Sequence, residues 1–533
     1  MSGNILTLIA IAIIVLFVGF GFLLGLLRGF RKSMYFTIVF IIVVVLSFVF
    51  ATMLAKRVYA GSTLWKFAKR VIPSSAREGA EGVNSLKEYV RFYITKNYTE
   101  VLDNGMTAGQ SIVANENAMG IIDGLLIMIL KIVMLIGSYI VLTVAFYIIF
   151  GLIYLLFLRQ KPYIEETTIT DEDGNETTEE REVKPKKKRL LGGIVGGVKG
   201  LAKAMIILIP MTFVIGMIAQ VEVPTNSSVS ITDAKLASSS SKNSTLKDVV
   251  EACRKYDNSI GKMQFGLDDF VMDRIVSYDV KGADGKTVKV VLGDELEGFI
   301  KVYNTIEKEI GVDNLSSYNI KNNISSSEMR AIVKSISENL SNSKATTTLL
   351  TAVGGEATVI LKGKATQKDK DAALLFEELD LTNKSSEWWK EQIAQLSDIY
   401  NAFADMNLDL SKADTKEYNA IFAETEAKDY EAFVDAIFDN ELLSMTINGG
   451  LKYAVKKLPE SYGDVTDTTN QVIKDDKVNE EFKAFSKLVD FIREDIQFKD
   501  GSVDTDQLKV GTLRGIVDTE ILIRSKIVGK LME

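Results

Sequence analysis

The sequence predicts a mainly α protein: a four-transmembrane-helix bundle followed by a predominantly helical extracytoplasmic domain with a minor β-hairpin. Three observations carry this expectation. The long apolar runs are confined to the first 220 residues. Charge divides at the same place, with 23 Lys+Arg against 16 Asp+Glu in residues 1–220 and 39 against 54 beyond them. After residue 244 the apolar positions recur at helical spacing, and Pro459 is the only proline beyond Pro224.

The first apolar run, Ile5 to Leu27, lacks the cationic start and the small-residue cleavage site of a removable signal, so it reads as a retained span (5–27). A sharp basic turn, Arg28-Gly29-Phe30-Arg31-Lys32, leads into a second run from Met34 to Leu54 (34–54). Residues 55–118 are polar with helix-like patches. The block Met119 to Leu158 would reach roughly 60 Å as one helix, twice the hydrocarbon thickness. It is therefore divided at Lys131 into an interfacial helix (119–131) and a span (132–158).

The loop 159–189 alternates Thr and acidic residues around Asp173-Gly174, as a small exposed hairpin does. Asp171, Asp173, Asn175 and Glu182 fall on calcium-loop ligand positions, but Glu176 stands where that loop requires Gly, so no metal is expected there. Five cations in the six positions Lys184 to Arg189 precede the organising segment, Leu190 to Gln220, whose membrane-crossing part is 200–219.

That segment sets Gly192, Gly196 and Gly200 on one helical stripe, with Gly193 and Gly197 beside it. Gly21, Gly25 and Gly29 repeat the four-residue spacing near the end of the first span. Small residues four apart let two backbones approach closely, which in lipid replaces the missing hydrophobic drive. The expectation is that the last span packs against the first, or against another subunit.

Cations in short connectors mark the cytoplasmic face. Arg28, Arg31 and Lys32 lie in the first connector, and Lys184, Lys186, Lys187, Lys188 and Arg189 in the third. These eight are the expected contacts with anionic lipid headgroups, at about 1 kcal/mol per cation near the surface. Both termini and residues 221–533 are then extracytoplasmic. Lys56 and Arg57 argue the other way, from a segment too long for the rule to govern.

The Lys/Arg-Leu-Leu-Gly-Gly opening of the last span, Lys188-Arg189-Leu190-Leu191-Gly192-Gly193-Ile194-Val195-Gly196-Gly197-Val198-Lys199-Gly200-Leu201, together with the Arg28-Gly29-Phe30 turn, resembles the colicin V production (CvpA) family. The resemblance covers residues 1–220. Asn4 stands where family members tend to carry an acidic residue, and the segments between spans are longer. It implies a four-span cell-membrane protein linked to toxin production and envelope maintenance. Some relatives carry a trypsin-like protease after the spans; this chain has no histidine, which removes that version and every other His-dependent mechanism.

Residues 221–244 are Ser/Thr-rich and read as a linker, and 245–533 form the outer domain. A hairpin is expected at Ser277–Leu292, turning at Asp284-Gly285, with Tyr278 and Val280 on one arm and Val288 and Val290 on the other. Ala436–Leu443 and Gly515–Leu522 share a pattern that a repeated helical module would leave.

The lone Cys253 excludes an intrachain disulfide and a cysteine zinc site. Trp388-Trp389 and the carboxylates Glu377, Glu378 and Asp380 are the residues a wall-acting outer domain would use. The reading is a non-enzymatic envelope or secretion-associated scaffold without cofactors. Its partners are membrane lipid, an envelope or secretion protein and, through the glycines, a second copy; nucleic acid is not among them. A channel or transporter subunit and a cell-wall-acting protein are the alternatives.

Overall fold

The computed structural model describes residues 5–532 apart from 63–64, 67–68, 70–76, 100, 102–105, 159–162, 171–175, 184–187, 223–236, 265, 282–286, 312–313, 315–316, 383, 416–417, 495–497, 500–501 and 504–519. The chain is mostly helical. Four helices are long and apolar enough to cross a membrane. They are α1 (Ile5–Arg28), α2 (Phe30–Ala60), α5 (Glu116–Ile153, continued by a π-turn at Tyr154–Leu158) and α6 (Arg189–Ala219). Two short helices, α3 (Leu86–Asn97) and α4 (Ala108–Ala114), lie between α2 and α5.

A single residue reverses the chain between α1 and α2. Gly29 sits at φ 73°, a left-handed conformation that costs glycine little, and caps α2. Its N–H donates to the Gly25 carbonyl at 2.9 Å, and its own carbonyl accepts from the Ser33 N–H at 3.0 Å. α1 pairs most extensively with α6, and α2 with α5. The outward faces are apolar, as with Leu16 at 65% and Phe20 at 62% exposure on α1, which suits contact with acyl chains rather than water.

The helices outrun the spans expected from hydropathy. The block expected as an interfacial helix (119–131) and a span (132–158) is one continuous helix. Part of its first third is buried in protein. It is sheathed by the following domain: Ile121 and Met128 share a core with Ile209 of α6 and with Met272, Ile275, Tyr278 and Val290. Protein burial and lipid burial demand the same apolar residues, so the period alone does not separate them.

The linker expected at 221–244 is shorter than its composition implies. Helix α7 (Ala237–Tyr256) begins within it and takes in Ser238 to Ser241. Serine is only a weak helix breaker, and the segment continues a helix anchored further on. Cys253 and Tyr256 pack with Ala10 of α1 and Leu208 and Ile215 of α6. The apolar core therefore runs across the expected domain boundary.

The described residues form three antiparallel pairs, the last a short one between Phe498–Lys499 and Ser502–Val503. β1 (Tyr163–Thr170) pairs with β2 (Glu176–Val183) in the loop between α5 and α6. β3 (Ser277–Lys281), after α8 (Leu267–Ile275), pairs with β4 (Thr287–Val291), setting Tyr278 opposite Val290 and Val280 opposite Val288. Asp284 and Gly285, the expected turn, lie outside the described residues.

The remaining chain is a succession of helices. Those that matter below are α9 (Leu292–Glu309), α10 (Ser327–Asn342), α11 (Lys344–Lys368), α12 (Ser386–Ala394), α13 (Ala427–Asp439), α14 (Glu441–Lys456) and α15 (Lys526–Met532).

Candidate functional site

The glycines expected to pack helices meet one another along the α1/α6 seam. A Cβ on Gly21 would run into the carbonyl of Gly196, and one on Gly25 into the carbonyl of Gly192. A Cβ on Gly200 would strike the Phe17 carbonyl, and one on Gly192 would lie 2.5 Å from the Gly29 carbonyl carbon. These are backbone-to-backbone contacts with no flexible atom to move aside. Gly193 instead faces the side chains of Phe22 and Leu26, at 2.8 and 2.9 Å. A Cβ on Gly197 would find only ordinary contacts, all at 3.9 Å, with Phe22 and Val18. The two glycine stripes are therefore one intramolecular seam.

At the Gly29 end of the bundle the two basic connectors come together. The Phe30 N–H donates to the Lys188 carbonyl at 3.2 Å. Arg31, Lys188 and Arg189 are exposed. Arg28 lies 5.4 Å from the Phe36 ring centroid, and Lys32 lies 5.6 Å from that of Tyr154. Lys184, Lys186 and Lys187 are outside the described residues, as are Asp171, Asp173 and Asn175.

Inside the bundle stands Lys199, which the sequence marked only as part of the motif that opens the last span. Lys199 is 8% exposed and donates to the Phe36 carbonyl at 2.7 Å and to the Tyr147 hydroxyl. Its ammonium lies 4.9 Å from the Tyr147 ring centroid, 5.7 Å from Phe40 and 5.9 Å from Phe36. Lys203, one turn on, lies 5.6 Å from the Phe40 centroid. An ionisable residue within a span is rare enough to have marked this position in the sequence. Its partners, however, are 52 and 163 residues away and share no pattern with it.

At the opposite end polar contacts join the bundle helices to one another and to the domain that follows them. Asp123 of α5 accepts from the Tyr59 hydroxyl at 2.6 Å and from Arg91 of α3 at 3.1 and 3.3 Å, joining three helices. Lys131, read from sequence as a water-boundary cation, donates to the Ser277 carbonyl of β3 at 2.7 Å. Asn115 donates to the Ala352 carbonyl of α11 at 2.6 Å. Arg254 of α7 caps the last span, donating to the carbonyls of Ala219 at 3.0 Å and Val221 at 2.8 Å. Its charge also suits the negative end of that helix.

The residues a wall-acting domain would use are engaged in structure. Trp389 is buried. Trp388 donates from Nε1 to Glu441 at 2.5 Å, and Lys384 lies 4.6 Å from its ring centroid, occupying a face that a sugar would need. Lys384 also donates to Glu441 at 2.6 Å, and that bond first of all holds the Glu441 carboxyl below the usual carboxylate range. Lys452 takes up Glu377 and Glu378, and Asp380 accepts from the Thr382 N–H at 2.9 Å.

Among the described residues the buried carboxylates are Glu295 and Glu481. Both serve helix N-termini. Glu295 accepts from Ser343 and the Ala345 N–H, and Glu481 from the N–H groups of Lys526 and Ile527. In the first of the two similar segments Asn440 caps α14 through the Leu443 N–H, whereas residues 515–519 of the second lie outside the described residues.

The lone cysteine is 2% exposed, in the core shared by α1, α6 and α7. Compared with protein-family models, with curated proteins and with solved structures, the chain matches none.

Proposed function

We propose that this chain is a multi-pass bacterial cell-membrane scaffold, non-enzymatic, that holds a helical domain on the extracytoplasmic face for an envelope or secretion protein. The reading is carried by the continuity of the bundle with the outer domain. α1, α5 and α6 form the floor on which α7, α8, the β3–β4 pair and α11 pack. A domain on a flexible tether would share no core with its anchor. Here the junction is built like a protein interior, which fixes the presented surface relative to the bilayer.

Sidedness rests on the connectors. Arg28, Arg31, Lys32, Lys188 and Arg189 gather at the end opposite the outer domain, and cations in short connectors favour the cytoplasm. The start of α1 and the whole of 221–533 are then outside. What supports a role in toxin production and envelope homeostasis is the resemblance of residues 1–220 to the colicin V production family.

Sidedness is tested with introduced thiols, since Cys253 is buried. In a Cys253→Ala background, Lys390→Cys on the exposed side of α12 should react with a membrane-impermeant maleimide on intact cells. Arg31→Cys should react only after lysis. The reverse pattern would overturn the proposal.

A further inference from the structure

α2 packs along both α5 and α6, and over it α5 and α6 are joined by the Lys199–Tyr147 hydrogen bond. They flank a groove whose floor is α2. Phe36 and Phe40 form that floor near the basic end, buried at 7% and 4% exposure. Three cations from two helices stand on these two rings: Arg28 and Lys199 share Phe36, and Lys199 and Lys203 share Phe40.

Among the described residues of the four spans no carboxylate stands beside them. α1, α2 and α6 contain no Asp or Glu, and those of α5, Glu116 and Asp123, lie at its far end. The ion pairs formed among the described residues do not include Arg28, Lys199 or Lys203. The ring faces, the Phe36 carbonyl and the Tyr147 hydroxyl satisfy the protons of Lys199 but leave the net charge uncompensated. Buried charge of one sign in a low-dielectric setting is stabilised by a counter-charge. Lysine side chains on a helix lean towards its N-terminus, so Lys199 and Lys203 lean towards the end where Arg28 lies.

We propose that this groove holds the phosphate of an anionic phospholipid from the leaflet on the basic side. The half-buried Lys203 and Arg28 contact its oxygens, Lys199 supplies charge from beneath, and the acyl chains follow α5 and α6. The exposed apolar residues of the flanking helices, such as Val144 and Ile148 of α5 and Val198 and Ile207 of α6, suit the acyl chains that a lipid has and a soluble phosphate lacks.

The test is native mass spectrometry of the full-length protein released from nanodiscs of equal phosphatidylglycerol and phosphatidylcholine. The wild type should retain phosphatidylglycerol in preference. Lys203→Gln should reduce that retention about fivefold, the effect of one cation at a membrane surface, and Lys203→Arg should restore it. Arg57→Gln, a charge-matched change at the other end of α2, should leave it unaltered. Circular dichroism identical to wild type shows that Lys203→Gln is folded. Equal retention of the two lipids, undiminished retention by folded Lys203→Gln, or displacement of the lipid by millimolar inorganic phosphate would each overturn the proposal. None of these outcomes bears on the sidedness test above.

Discussion

The two helix seams of the bundle are built in different ways. Along α1 and α6 backbone meets backbone, with glycines on both sides and carbonyl oxygens where side chains would otherwise stand. Along α2 and α5 side chains mediate the contact: Phe36 stacks on Tyr147 with centroids 5.3 Å apart, Tyr35 donates to the Phe150 carbonyl at 3.1 Å, and Ser138 donates to the Ser47 carbonyl at 3.2 Å. In lipid both solutions depend on close packing and hydrogen bonds rather than on expulsion of water. They differ in tolerance. Rings and hydroxyls can shift or be replaced by groups of similar shape, whereas two backbones in contact leave no atom that can yield.

The sharpest way to break the comparison is to load the rigid seam. Gly196→Leu combined with Gly200→Leu should prevent α1 and α6 from associating, with loss of folded monomer in mild detergent by size-exclusion chromatography. A folded monomer of normal elution would mean that the seam is dispensable. A smaller loss is expected at the outer end of the softer seam. Asp123→Asn weakens charge-assisted bonds from Tyr59 and Arg91 and should lower stability by about 2 kcal/mol, read by denaturant unfolding in detergent. The smallest change is Ser138→Ala, which removes one interhelical hydrogen bond at about 0.6 kcal/mol. A Ser138→Ala effect as large as that of the glycine pair would erase the distinction between the seams.

Much of this arrangement was legible in the chain. The spacing of Gly21 and Gly25 against Gly192, Gly196 and Gly200 marked where two backbones could meet, although glycine is also common in membrane helices that do not pack this way. The spacing did not show which glycines are critical. Gly196 and Gly197 are neighbours of identical composition, and only the placement of Phe22, Val18 and the Gly21 carbonyl separates them.

The extent of the helices was not legible either. Ile121 and Met128 are as apolar as lipid-facing residues but are buried against Met272 and Tyr278, more than a hundred positions further along the chain. The role of Lys199 failed for a similar reason. Its rings come from α2 and α5, and long-range partners leave no local trace. In the domain after the spans Trp388 looked available, but Lys384 covers its ring and Glu441 reaches it from 53 residues away.

The measurement closest to the central claim compares alanine at two adjacent glycines of α6 by denaturant unfolding in detergent. Gly197→Ala adds a methyl group with only ordinary contacts at 3.9 Å and should be neutral or stabilising by up to about 1 kcal/mol, the helix-propensity gain. Gly196→Ala drives the same methyl into the Gly21 carbonyl and should cost about 1–3 kcal/mol, the range for overpacking. Equal effects at the two positions, or the reverse order, would contradict a seam made of backbone contact.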